Sequence, residues 1–191
     1  MDRNGGADTG VRLWLLGEFR ATAGDAAVDL GGPRQRAVLA MLALARGEVV
    51  SVDELIDAVW GDAPPAGATG SLQAFVSHLR RALQPDRSAR KAGGVITRES
   101  RGYALRLPAD AIDVWRFERL GREGSSLVES DPATASRQLQ QALALWRGVP
   151  LLDYRDEPWA QPHVARLTGL RTAALEHAFA ARLESGEAAV L

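Results

Sequence analysis

The segment Leu72–Leu83, LQAFVSHLRRAL, combines an apolar stripe with a polar face on one helix. Apolar residues recur at the i, i+4, i+7 and i+11 spacing of a single helix face, at Leu72, Val76, Leu79 and Leu83. The other directions carry polar or cationic residues: Gln73, Ser77, His78, Arg80 and Arg81. The pattern predicts a helix that packs on a core through one side and offers hydrogen-bond donors to a polyanion through the other.

Cationic residues are concentrated in and after this helix. Between Arg80 and Arg106, eight cationic residues accompany only Asp86 and Glu99, a local balance of +6, whereas the 191-residue chain carries a net charge of −1. A basic region in an otherwise neutral protein is typical of a nucleic-acid footprint. This stretch is therefore the predicted nucleic-acid contact.

Composition indicates a cytoplasmic globular protein. The chain is 46% apolar and 25% charged, and it contains no cysteine, which excludes disulfides and thiolate metal sites. Residues 1–10 lack the charged start and apolar core of a signal peptide, and we expect them to form a flexible tail. No apolar run approaches the roughly 18 residues that a membrane span needs, so no membrane contact is predicted.

Short apolar runs open the chain after this tail. Glycine-containing breaks separate three of them, which predicts a small antiparallel sheet over Val11–Leu16, Phe19–Thr22 and Ala26–Leu30. Alternation with period two over Val95–Leu107 predicts a hairpin after the basic helix. Arg98 and Arg101 are expected near the tip of this hairpin, and Tyr103 is expected to pack in its core.

Two further helices are predicted between the sheet and the basic helix. Pro33 suits a first helical turn, and apolar residues at helical spacing continue to Arg46, before Gly47 ends the helix. Residues 51–54, Ser-Val-Asp-Glu, form a capping box that starts a second helix, which Gly61 ends. The first part of the chain thus predicts strands, three helices and a basic hairpin.

After residue 108 the pattern is helical throughout. Ile112–Val128 is helical in spacing, and Asp131 followed by Pro132 predicts a capped helix start. A long helix is predicted over Pro158–Glu184 with two apolar stripes, one of Leu167, Leu170, Ala174, Ala178 and Ala181, the other of Leu175, Phe179 and Leu183. Helices of this length resemble tetratricopeptide-type units.

The order of these elements resembles known regulators. Strands, three helices and a basic hairpin over 11–107 resemble the winged helix-turn-helix of the OmpR/PhoB type. The whole chain resembles the SARP/AfsR family of transcriptional activators through VRLWLLGEFR, GGPRQRAVLAMLAL, VDELIDAVWGDAPP, LQAFVSHLRRAL, VITRESRGYALRL and WRGVPLLDYRDEPWAQPHVARL. The resemblance implies an α+β winged-helix DNA-binding domain over 11–108, followed over 109–191 by the N-terminal part of an all-α, tetratricopeptide-like bacterial transcriptional activator domain. Family members usually continue further, so a truncated chain is expected.

The resemblance also implies roles for individual residues. Base-facing positions on the third helix correspond to Gln73, Ala74, Ser77 and His78. Phosphate-facing residues are expected at Arg34, Arg36, Arg80, Arg81, Arg98 and Arg101. The partners it implies are promoter DNA with direct repeats near the −35 region, a second protomer bound side by side, and RNA polymerase holoenzyme. It implies a cytoplasmic, nucleoid-associated activator of secondary metabolism such as antibiotic biosynthesis.

Enzymatic and metal-binding functions are not predicted. The one lysine, Lys91, follows no glycine-rich phosphate loop, and the acidic residues near Glu54 fit a capped helix start better than an acid/base pair. The three histidines, His78, His163 and His177, lie far apart without metal-ligand spacing, so no metal and no cofactor are expected. The five tryptophans are interpreted as packing residues.

Two alternatives stay open at this point. The first is a protein-protein scaffold, in which the winged helix binds a protein rather than DNA. The low net charge slightly favours this interpretation. The second is a repressor that binds DNA and only occludes a promoter.

Overall fold

The computed structural model describes residues 10–84 and 94–186. Within them the chain forms two compact units, one of residues 10–14 and 19–112, the other of residues 15–18 and 113–186. The first unit opens with the predicted antiparallel sheet, in which β1 (Val11–Trp14), β2 (Arg20–Ala23) and β3 (Ala26–Ala27) are neighbours in that order. β1 and β3 are shorter than the apolar runs that predict them, and β2 has the predicted length but lies one residue later.

Three helices follow in the first unit: α1 (Pro33–Leu44), α2 (Val52–Trp60) and α3 (Ala68–Leu83). The capping box of α2 is present, because Ser51 Oγ accepts from the Glu54 amide at 3.1 Å and Glu54 Oε2 accepts from the Ser51 amide at 2.8 Å. These bonds hold the pKa of Glu54 below its ordinary value. The predicted apolar stripe of α3 is buried, with at most 1% of each side chain exposed: Leu72, Val76, Leu79 and Leu83.

The basic hairpin belongs to a second three-stranded sheet. β5 (Ile96–Arg98) and β6 (Gly102–Leu105) form the predicted hairpin, and the third strand, β4 (Val50–Ser51), pairs with the other side of β6. Gly102 is required here because an added Cβ would lie 1.9 Å from the Val50 carbonyl oxygen. We call residues 96–105 the wing.

The second unit contains α4 (Asp113–Ser126), α5 (Pro132–Leu143) and α6 (Gln161–Glu184). The Asp131 side chain caps α5 as predicted, accepting from the Thr134 amide at 3.0 Å. A hydrogen bond of 2.7 Å joins Arg166 to Glu118, and another of 2.7 Å joins His177 to Ser125, so contacts occur in the same order along α4 and α6. These two helices are therefore parallel. None of the helices in the described ranges is long and apolar enough to span a membrane.

The predicted extent of the first strand is wrong at its C-terminal end. The apolar run over Val11–Leu16 predicts a six-residue strand, but β1 ends at Trp14. The reason is Asp113, whose carboxylate accepts from the Leu15 amide at 2.8 Å and the Leu16 amide at 3.0 Å, and pairs with Arg147 at 2.9 Å. Burial raises the pKa of Asp113, while these donors act in the opposite direction.

The two stripes of α6 differ in burial. In the first stripe, Leu167, Ala174, Ala178 and Ala181 are buried, whereas Leu170 is 40% exposed. The second stripe is open: Leu175, Phe179 and Leu183 are 50%, 65% and 52% exposed.

Aromatic residues pack as predicted at several points. Tyr103 is 3% exposed and Trp115 is 5% exposed. Trp60 stacks on Phe75 with a ring-centroid distance of 5.9 Å, which joins α2 to α3.

Candidate nucleic-acid interface

The open face of α3 is an exposed and mostly polar surface. Because a helix turns by about 100° per residue, Gln73, Ala74, Ser77 and Arg81 fall within one arc of it. All four residues are exposed, whereas the stripe of leucines and valine on the other side is buried. Three of the four residues that we expected to face bases therefore lie on this surface, together with one residue expected to face phosphate.

The fourth expected base-facing residue, His78, lies at one margin of the open face and is half-buried. Its Nδ1 is hydrogen-bonded to Nε2 of Gln35, a residue of α1 that is only 9% exposed. The same Gln35 nitrogen donates to the carbonyl oxygen of Leu30 at 2.8 Å. His78 thus attaches α3 to the start of α1 as well as bordering the open face.

Arg80 attaches the opposite margin of α3 to the wing. Its Nε donates to the carbonyl oxygen of Ile96 at 2.8 Å, and its guanidinium carbon lies 5.9 Å from the centre of the Tyr103 ring. Arg80 is half-buried as a result. The predicted phosphate contact competes with this internal hydrogen bond, and the structural role of Arg80 is to hold the wing beside the helix.

Tyr103 links this margin to the rest of the wing. Arg98 Nη1 donates to the Tyr103 hydroxyl at 2.8 Å, and the Arg98 guanidinium lies 5.0 Å from the ring centre. Two arginines, one from α3 and one from the wing, therefore share one aromatic ring, an arrangement that stabilises both through cation–π attraction. Arg98 keeps an exposed side chain at the wing surface.

Arg101 is an accessible cation at the wing tip. It is exposed, and its side chain has no partner among residues 10–84 and 94–186. The neighbouring Glu99 is neutralised by Arg106, whose Nη2 lies 3.1 Å from Glu99 Oε1, and this bond lowers the pKa of Glu99. Four of the charges counted in the basic stretch lie outside the described residues: Asp86, Arg87, Arg90 and Lys91.

The two arginines at the start of α1 differ. Arg34 is exposed, with its guanidinium 5.9 Å from the Trp60 ring centre. Arg36 is half-buried, and its Nη2 donates to the Phe19 carbonyl at 2.5 Å. The predicted phosphate contact of Arg36 therefore competes with a bond to the first sheet, whereas Arg34 is accessible for one.

Gln35 is the site residue that sequence reasoning missed. It precedes Val38 and Leu39 by three and four positions, so it shares the buried face of α1 with them. A polar side chain at such a position requires hydrogen-bond partners, and this is the signal that identifies it. Its partner His78 is 43 residues away, which local sequence patterns do not predict.

These features define a class, the winged helix-turn-helix regulator joined to a helical domain. Residues 26–105 match the family model described as "Transcriptional regulatory protein, C terminal", and residues 112–191 match that described as "Bacterial transcriptional activator domain". Among curated relatives, the transcriptional regulator RedD of Streptomyces coelicolor is 31% identical over 93% of this chain and 51% of RedD. The regulatory protein DnrI of Streptomyces peucetius is 34% identical over 92% of the chain and 64% of DnrI.

A solved structure agrees with the fold. The structure of Mycobacterium tuberculosis EmbR in complex with a low-affinity phosphopeptide matches with a TM-score of 0.84 at 34% identity, over 92% of this chain and 46% of that one. The chain belongs to the SARP/AfsR family of transcriptional regulators. This confirms the predicted family and fold class, and the family consists of regulators rather than enzymes, as predicted. The chain spans about half the length of several of these relatives.

Proposed function

We propose that this chain is a sequence-specific DNA-binding transcriptional activator. In this proposal α3 enters the major groove with its open face toward the base edges, and the wing lies against the adjacent sugar-phosphate backbone. Gln73, Ala74, Ser77 and His78 contact bases, because an α-helix fits the major groove, where each base pair presents its own pattern of donors and acceptors.

The observation that carries the proposal is the way α3 is held. Its open face is polar and exposed, while hydrogen bonds from His78 on one margin and Arg80 on the other attach it to α1 and to the wing. Base recognition needs side chains held at a fixed rotation about the helix axis, and these two attachments oppose rotation in either direction. A helix whose open face contacts only water does not require these two hydrogen bonds.

Accessible arginines supply the phosphate contacts. Arg34, Arg81 and Arg101 are exposed, and Arg98 is exposed beside Tyr103. Guanidinium groups bind phosphate in a bidentate manner, and such contacts add affinity without sequence preference. We assign Arg36 and Arg80 a smaller contribution to phosphate binding, since both donate hydrogen bonds to backbone carbonyls within the protein.

The helical unit supports the activating part of the proposal. Its family model is that of a bacterial transcriptional activator domain, and RedD and DnrI are regulators from Streptomyces. We propose that the protein binds promoter direct repeats as side-by-side protomers, recruits RNA polymerase and controls secondary metabolism. Residues 11–108 would bind DNA and residues 109–191 would contact the partner, in the cytoplasm at the nucleoid.

Selection of bound fragments from random duplex DNA, followed by gel-shift titration at several salt concentrations, tests the proposal. Arg101→Ala should weaken binding to all sequences about equally and lower the slope of log K against log salt by roughly 0.9, the value for one lost phosphate contact. Gln73→Ala should relax preference at one base pair by about 1–3 kcal/mol. Arg182→Ala, an exposed arginine on α6, is the matched control and should change neither quantity.

Two results would count against the proposal. Absence of salt-dependent binding to any duplex would favour the protein scaffold. Transcription in vitro from a bound promoter separates activator from repressor, because an occluding repressor lowers the transcript yield where the activator raises it.

A further inference from the structure

The structure assigns His78 a single neutral tautomer, and we propose that its Nε2–H donates a hydrogen bond to N7 of a guanine in the major groove. The inference rests on the proposed DNA-binding function and adds the base class and the direction of the hydrogen bond. It also makes Gln35, a buried residue that does not reach DNA, the positioning residue for this contact.

The orientation of the Gln35 amide is the first step. Its Nε2 lies 2.8 Å from the carbonyl oxygen of Leu30. A carbonyl oxygen only accepts, so the amide NH₂ and not the amide oxygen faces Leu30. Since Gln35 is 9% exposed, water does not readily replace this partner. The backbone therefore determines which end of the amide is the donor.

The tautomer of His78 follows from that orientation. An amide NH₂ group carries two hydrogens, and one of them is used by Leu30. The other faces His78 Nδ1, which must then be the acceptor. A neutral imidazole with an unprotonated Nδ1 carries its proton on Nε2. His78 is accordingly a donor at its outer nitrogen.

The outer edge of His78 is available to a ligand. Within the described ranges no hydrogen bond involves its Nε2, and the residue is half-exposed at the margin of the open face. Arg81, one helical turn further, is exposed and lines the same open groove as His78. The groove is also lined by Asp29, whose Oδ1 accepts from the Gly31 amide at 2.8 Å. Two donors side by side favour a partner that presents acceptors.

The base follows from the chemistry of the major groove. Guanine presents two acceptors there, N7 and O6, whereas cytosine presents the N4 amino donor. A donor at His78 can bond to guanine N7, and it would face the cytosine amino group donor to donor. Adenine offers N7 beside its own amino donor, and thymine offers one acceptor, O4, beside its methyl group. Guanine, with two adjacent acceptors, is therefore the best match for the donors of His78 and Arg81.

The tautomer is measured directly by ¹H–¹⁵N NMR of the imidazole nitrogens on the full chain at pH 8, without DNA. We expect an unprotonated Nδ1 and a protonated Nε2 for His78. Gln35→Leu should return the ring toward a mixture of tautomers, and Gln73→Leu, an exposed change on α3, should not. A ring with the proton on Nδ1 would overturn the inference and would leave the proposed function untouched.

The base contact is tested with the selected duplex, replacing each guanine in turn by 7-deazaguanine, which lacks the N7 acceptor. At one guanine the native protein should lose about tenfold in affinity, and His78→Ala should bind native and modified duplexes equally. Arg182→Ala is the control and should keep the native discrimination. Salt-dependent binding in which no guanine depends on His78 overturns the inference alone, whereas absence of binding to every duplex overturns the proposed function with it.

Discussion

Two helices of this molecule leave one side open, and the chemistry of the two open sides is opposite. On α3 the open side is polar and cationic, with Gln73, Ser77 and Arg81 exposed. On α6 it is apolar, with Leu175 and Phe179 at least half exposed. The buried stripe predicts that each segment is a helix, whereas the exposed side indicates what kind of molecule the helix can bind. Hydrogen-bond donors suit a polyanion, and an apolar stripe does not.

The largest expected effect is a difference in stability between two substitutions, one in the buried stripe of α3 and one in the open stripe of α6. Leu79→Ala removes a side chain that is 0% exposed and should lower the free energy of unfolding by about 2–5 kcal/mol. Leu183→Ala removes one that is 52% exposed and should change it by no more than about 0.5 kcal/mol. Urea denaturation of both variants measures the difference, and equal losses would show that the α6 stripe is covered in solution.

A somewhat smaller effect is expected at Asp113. Asp113→Asn replaces one carboxylate oxygen with an NH₂ group. That group faces, donor to donor, either the Leu15 amide or the Leu16 amide and Arg147, and the substitution should cost about 2–3 kcal/mol. Asp156→Asn is the control because its carboxylate is 89% exposed, and it should be neutral. An Asp113 variant as stable as the native chain would mean that these bonds do not hold residues 15–18 in the second unit.

Sequence patterns identify what depends on local spacing. The stripe of α3, the capping box of α2, the Asp131 cap and the wing hairpin were all predictable, because each involves residues a few positions apart. The end of β1 was not, since its cause, Asp113, lies about 100 residues further along the chain. β4 was missed because two residues are too few to show alternation.

The candidate site divides in the same way. Helical spacing placed Gln73 and Ser77 on an open face, and both are exposed there. It could not show that His78 and Arg80 are attached to other elements, because their partners Gln35 and Ile96 are 43 and 16 residues away. From charge alone, every arginine of the region is predicted to contact phosphate. The structure shows which of them also donate hydrogen bonds to backbone carbonyls and so stabilise the fold.

The wing should be sensitive to a single oxygen atom. Tyr103→Phe keeps the ring between Arg80 and Arg98 but removes the hydroxyl that accepts from Arg98, which should cost about 0.5–1.5 kcal/mol in urea denaturation. In the proposed complex the wing contacts phosphates and α3 contacts bases, so DNA affinity should fall while base preference stays unchanged. A change in base preference in this variant would mean that Tyr103 also sets the orientation of α3.

The smallest expected effect is a pH dependence of stability that arises from a histidine of the second unit. His163, in the first turn of α6, is half-buried, and burial first and Arg166 second lower its pKa from the ordinary 6.5. As the pH falls through 6.5, the unfolded chain binds the proton before the folded chain does, so stability declines, and the decline ends below the folded pKa. Denaturation between pH 8 and 5.5 should show this slope in the native protein. His163→Gln should reduce it, whereas His177→Gln, at an exposed position of the same helix, should keep it, and a slope that survives His163→Gln would assign it to another group.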